Sequence, residues 1–206
     1  MSVIAGKKLQ ELVEKGVITG VKPEQINAAS IDITLGNLIK TEVKQAGANL
    51  KTIILAKREP LELEEKDITD SSYTLSPNQF VLAASVELFN LPDTISAEYK
   101  LKSSMARIGL EHLNAGWCDA GWNNSTLTLE LKNVSQFHNI VLDAGTAIGQ
   151  VIFYEHDKVP SDQSYATKGS YNGQSAPTSS QQKPVAGATA GATAKPPLTR
   201  AESKGK

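Results

Sequence analysis

Apolar and polar positions follow two different periods along this chain. Between residues 4 and 16, Ile4, Leu9, Leu12 and Val13 recur among Lys and Glu close to a helical repeat, and Gly16 offers a stop. This spacing predicts one short amphipathic helix. From Gln25 onward the period changes to two. In INAASIDITLG, Ile31, Ile33 and Leu35 alternate with Ser30, Asp32 and Thr34, and the run ends at Gly36, which reads as a strand closed by a turn. Further strand-like runs fall at 38–43, 51–56, 72–75, 79–86, 96–101, 126–132, 139–142 and 147–154, separated by PNQ, NLPD and DAG. Many short strands with almost no helix predict a mainly β fold, a sandwich or a barrel.

After Pro160 the pattern fades. Residues 161–174 mix aromatic and polar positions, and from Ser175 the chain is built from Ala, Gly, Thr, Pro, Ser and Lys, with one leucine and no aromatic. Such a segment buries too little to offset the entropy of ordering. One domain is therefore expected over 1–177, with a disordered low-complexity tail over 178–206.

Composition narrows the class. The chain has 206 residues, 40% hydrophobic and 21% charged, as in ordinary soluble domains. A formal net charge of −1 supplies no global basic field for long nucleic acid, although a small anion needs only a local positive cluster. Cys118 is the single cysteine, so no internal disulfide forms, which fits a reducing compartment. The N-terminal MSVIAGKKLQEL has no signal-like apolar core, and no apolar run nears the roughly 18 residues of a membrane span. A cytoplasmic protein with neither nucleic-acid nor membrane partner is expected.

The candidate chemistry concentrates between Leu101 and Asn133. Lys102, Ser103, Ser104 and Arg107 form a donor-rich segment suited to an anion, and Asp119 and Glu130 bracket a second segment that offers carboxylates. Other hydrolytic sites lack their parts. A zinc deaminase needs His-x-Glu with Cys-x-x-Cys, yet there is one cysteine, and neither His112, His138 nor His156 begins a His-x-Glu. Neither a Gly-x-Ser-x-Gly elbow nor a P-loop is present. Water activated by a carboxylate, with help from cationic groups and backbone, remains. Alternation with Leu127, Leu129 and Leu131 puts Glu130 on the opposite face of its strand, where pattern alone would leave it solvated.

SSMARIGL, AGWCDAGW and TLTLELKN, in that order, resemble motifs of the dCTP deaminase branch of the dUTPase superfamily. INAASIDITLG is similar to that family's first motif, LDAGTAIGQVIF to its fourth and KGSYNGQSAPTSS to its C-terminal lid, so the resemblance covers about residues 4–178. It implies a distorted jelly-roll-like β-barrel, assembled as a homotrimer with sites between subunits. Glu130 falls at the family's catalytic glutamate, which takes a proton from the water attacking C4 of cytosine and passes it to the leaving ammonia. Ser103 and Arg107 match groups that hold the water or phosphates and stabilise the transition state, and Ala115 matches a backbone carbonyl that places the water. Lys102, Ser104, Met105 and Ala106 complete the phosphate segment. Asp119 would sit near the deoxyribose, and Thr128 and Leu129 would present strand backbone to the base. Gln150, Tyr165, Tyr171 and Gln174 would contact the phosphates or close over them. Mg²⁺ would arrive with the triphosphate, and no protein metal site or zinc is implied.

This sequence departs from the family pattern at several positions. Lys102 stands where Arg is usual, keeping charge but losing the bidentate fork. The Arg107-to-Ala115 spacing is one residue shorter and the Asp119-to-Glu130 spacing one longer, Cys118 replaces an aliphatic residue, and Ser170 replaces a common Lys. The resemblance thus implies hydrolytic deamination of dCTP to dUTP and ammonia. The alternatives are a bifunctional enzyme that continues to dUMP and diphosphate, a pure dUTPase, and a non-catalytic nucleotide-binding barrel.

Overall fold

The computed structural model describes residues 1–43 and 50–181. In chain order the elements are β1 (Ser2–Val3), α1 (Lys7–Glu14), β2 (Ile18–Thr19), β3 (Ile31–Glu42), β4 (Leu63–Asp67), β5 (Ser72–Leu75), β6 (Phe80–Asn90) and β7 (Ile95–Leu101). Then follow α2 (Ser103–Ala106), β8 (Leu110–His112), β9 (Trp117–Cys118), β10 (Asn123–Asn133), β11 (Ile140–Asp143), β12 (Ala147–Glu155) and α3 (Tyr165–Lys168). One curled antiparallel sheet runs β8-β10-β6-β3-β12-β7-β9, with β1 on β12, β2 on β6 and β4 on β3, while β5 and β11 form a separate pair. The mainly β, barrel-like class expected from the alternation is what forms.

The curl follows from β3, whose first half pairs with β12 and whose second half pairs with β6 and β4. Ile31, Ile33, Leu35 and Ile39 point from it into one core with Phe89, Leu129, Leu131 and Phe153. The turn expected at Gly36 is absent: the strand runs on through it with a register shift between Leu35 and Ile39. A side chain at 36 would put its Cβ 2.9 Å from the Ala84 carbonyl oxygen, so glycine permits close contact between strands where the sequence suggested a chain reversal.

Other expectations need correction. The helix is shorter than 4–16, because Ile4 donates its backbone N–H to Phe153 O and belongs to the β1 crossing. Residues 51–56 form no strand; Ile53, Ile54 and Leu55 are exposed, as is the preceding Leu50, and the segment ends in a 3-10 turn over Leu55–Lys57. The free edge of β3 is taken instead by β4, LEEKD, whose charged residues show no alternation. The expected disordered tail lies outside the described residues from 182. Its first residues, 178–181, are described, and Thr178, Ser179 and Ser180 line the pocket characterised below.

Candidate active site

β10 carries the site because its two faces divide cleanly. Leu127, Leu129 and Leu131 are buried in the core, and Thr126, Thr128 and Glu130 occupy the alternate positions. Glu130 is directly paired with Leu82 of β6 and keeps 28% of its side chain accessible at the floor of a pocket of about 540 Å³. Ala115 enters this pocket from the β8–β9 loop. Gly116 lets that loop press against β7, since any side chain there would run into the Tyr99 carbonyl, and Tyr99 N–H donates to Gly116 O at 2.8 Å. Asp119 follows β9 at the rim, where its Oδ1 accepts a 2.8 Å hydrogen bond from Trp117 Nε1.

The C-terminal segment closes one side. Trp122 Nε1 donates to Tyr171 O at 2.9 Å, and Thr126 and Gln174 are linked three times, by Thr126 N–H (2.8 Å) and Thr126 Oγ1 (3.3 Å) to Gln174 O and by Gln174 Nε2 to Thr126 O (2.9 Å). Thr178 N–H then reaches Thr128 Oγ1 at 3.3 Å. Residues after Tyr171 therefore run beside β10, although the composition here gave no strand signal.

Glu130 Oε2, His112 Nε2 and Tyr99 Oη are all buried without a hydrogen-bond partner, and the Tyr99 and His112 rings meet in a tilted contact, 4.5 Å between centroids. Burial, reinforced by the Glu130 charge, raises the Tyr99 hydroxyl above its ordinary range. The Cys118 thiol is pushed up to about 12, first by burial and then by Asp119 and Glu130. Burial likewise raises Tyr165. Tyr99, Cys118 and Tyr165 are thus held protonated around the site.

The structure gathers Ala115, Asp119, Thr128, Glu130, Tyr165, Tyr171 and Gln174 on this pocket. Leu129 is fully buried and can offer only backbone. The phosphate segment lies elsewhere. Ser103, Ser104, Ala106 and Arg107 are exposed on and after α2, Met105 packs on the core, and Arg107 lines a different depression with Ile108, Ser135 and His138. Lys102 Nζ is ion-paired with Asp32 Oδ2 at 2.6 Å, Asn27 Nδ2 donates to Asp32 Oδ1 at 2.8 Å, and Ser30 Oγ donates to Gln150 Oε1 at 3.2 Å. Lys102 and Gln150 therefore share a polar cluster on β3 and β12 that does not line the Glu130 pocket of the same chain. Among the described residues no group of three or more His, Cys, Asp or Glu side chains converges as a metal site.

Sequence reasoning missed His112, Tyr99 and the apolar pocket residues Leu61, Leu63, Phe80 and Leu82. None lies in a motif that marks it, and each reaches the site through strand pairing or a loop crossing.

The family model for dCTP deaminase-like proteins matches residues 3–156. A dCTP deaminase, dUMP-forming, of Methanospirillum hungatei is 36% identical over 160 residues, covering 76% of this chain and 83% of that protein. The protein of the same description from Aquifex aeolicus is 33% identical over 174 residues, covering 84% and 90%. A crystal structure of 2'-deoxycytidine 5'-triphosphate deaminase from Agrobacterium tumefaciens superposes with a TM-score of 0.55 at 21% identity, over 73% of this chain and 47% of that one. The fold is that of the solved deoxycytidine triphosphate deaminase, and the chain belongs to the dCTP deaminase-like family.

Proposed function

We propose that this protein deaminates dCTP and carries the product on to dUMP and diphosphate. The observation that carries the reading is Glu130, a carboxylate with one oxygen buried and unpartnered at the floor of a nucleotide-sized pocket. The relatives described as dUMP-forming favour continuation past dUTP.

In this reading a water held near Glu130 and the Ala115 carbonyl attacks C4 of cytosine. Glu130 takes one proton from the water and delivers it to N4 as the C4–N4 bond breaks and ammonia leaves, and the remaining hydroxyl proton passes to N3 as C4 becomes a carbonyl. Thr128 and the β10 backbone hold the base, Asp119 faces the sugar, and Tyr165, Tyr171 and Gln174 keep bulk water out. A second water then attacks the α-phosphorus, and the bond to the bridging oxygen breaks to release diphosphate. The cationic and hydroxyl set of Lys102, Ser103, Ser104 and Arg107, with Gln150, suits phosphate oxygens and not a metal ion. Mg²⁺ would therefore be held by the triphosphate, whose charge it neutralises, and no step is assigned to it.

A site that needs both Glu130 and Arg107 is completed by α2 of another copy, which supports a homotrimer with intersubunit sites. Exposed apolar side chains at Ile108, Val134, Phe137 and Val141, around the Arg107 depression, are the kind of surface such an interface would cover. Among the described residues no helix is long and apolar enough to cross a membrane. The unpaired, buried Cys118 suits a reducing cytoplasm.

The test is incubation with dCTP and Mg²⁺, followed by ion-exchange separation of nucleotides and an ammonia assay. The expected products are ammonia, dUMP and diphosphate. Accumulating dUTP would mark an enzyme that stops after deamination. Intact dCTP beside cleaved dUTP would mark a dUTPase, and no change in either would leave a binding protein.

A further inference from the structure

The walls of the Glu130 pocket differ in polarity. On one side stand Thr128 and Gln174, and Gln174 Oε1 is a buried acceptor without a partner. On the other side stand Leu82, the direct cross-strand partner of Glu130, and Phe80, two residues along the same strand. Directly opposed side chains on one face of an antiparallel pair lie about 5 Å apart at Cβ, so an apolar wall begins beside the carboxylate itself. Leu61 and Leu63 extend this wall from the segment leading into β4, half-buried between exposed neighbours, and Glu59 of the same segment also lines the pocket.

Cytosine is divided in the same way. O2, N3 and N4 form a polar edge, C5 and C6 an apolar one, and C4 lies where the two meet. With C4 placed over Glu130, turning the polar edge to the leucines would bury N3 and O2 without partners. The opposite orientation lets the Thr128 hydroxyl and the β10 backbone serve N3 and O2, lets the N4 amino group donate to Gln174 Oε1, and sets C5 against Leu82.

Resting on the deaminase reading, we propose that Leu82, Phe80, Leu61 and Leu63 form a subsite for a substituent on C5, and that 5-methylated cytosine nucleotides are substrates of this enzyme. The chemistry is unchanged: water adds at C4, the C4–N4 bond breaks, ammonia leaves with the transferred proton, and the methyl group is retained. The product is a thymine nucleotide. A methyl group fills apolar space here and displaces no polar contact.

The test compares kcat/KM for dCTP and 5-methyl-dCTP with the full chain and Mg²⁺, following ammonia and the nucleotide product. The expected result is a value for 5-methyl-dCTP within about tenfold of that for dCTP, the scale of one methyl in an apolar pocket. Leu61→Phe, at a half-buried position, is expected to shift the 5-methyl-dCTP to dCTP ratio downward by about tenfold or more. Deamination of dCTP with 5-methyl-dCTP more than about a hundredfold slower would overturn the subsite and leave the deaminase reading standing. A ratio that Leu61→Phe does not move would likewise place the C5 edge elsewhere. If neither nucleotide reacts, the deaminase reading fails and the subsite with it.

Discussion

Glu130 Oε2 and His112 Nε2 approach to 3.3 Å at the β8–β10 edge, yet out of line for a hydrogen bond, so each is buried without a partner. Two adjacent unsatisfied polar atoms cost stability that hydrophobic packing must offset. Their persistence fits a place where water or substrate completes the set.

Glu130→Gln keeps the shape of this floor and removes the base. Ammonia release is expected to fall by about 10²–10⁴-fold, with dCTP binding retained. Calorimetric binding beside a turnover assay checks both parts, and near-parental turnover would exclude Glu130 as the base.

His112 packs at a tilt against Tyr99 and borders Glu130, so its replacement should disturb geometry more than binding. His112→Gln is expected to lower kcat by on the order of tenfold to a hundredfold, the scale of a slight misplacement, with KM little changed. A rise in KM at constant kcat would instead place His112 in ground-state binding.

Lys102 is held by Asp32 at 2.6 Å. If this cation meets the triphosphate, Lys102→Ala should raise KM for dCTP by roughly tenfold or more, and Lys102→Arg should restore most of the loss. Steady-state kinetics at fixed Mg²⁺ decides, and unchanged KM would remove Lys102 from the phosphate site.

Complementation tests the intersubunit site. Glu130→Gln and Arg107→Ala chains, each inactive alone, should regain activity when unfolded together and refolded as mixed trimers. Light scattering should give the mass of three chains. A monomeric mass, or no recovery in mixed trimers, would argue for a site within one chain.

Cys118 gives a pH signature. Its pKa rises from 9.0 to about 12 in the folded chain, so folding favours the protonated thiol. The contribution is complete below the unfolded value and declines as pH climbs from about 9 towards 12, where the unfolded chain has lost the proton and the folded chain keeps it. Urea midpoints should fall over that window, and less steeply in Cys118→Ala. At about pH 8 the native thiol should resist disulfide reagents until the chain unfolds.

Much of this was legible from local pattern. Alternation with three leucines put Glu130 opposite the core-facing side of its strand, and the ordered motifs put Ala115, Asp119, Thr128 and Gln174 in one functional set. Both depend on residues close in sequence, where a period of two fixes which way a side chain faces. Tertiary structure alone decided what stands beside Glu130. Leu82 arrives through the register of β6 on β10, and Leu61 through the segment leading into a strand, LEEKD, that has no apolar alternation. The same long-range pairing turned Gly36 from an expected turn into a close strand contact and put Arg107 on a different surface from the pocket of its own chain. Strand partners are chosen by the burial and backbone hydrogen bonds of the whole sheet, so register is a property of two distant segments together, which neither carries alone.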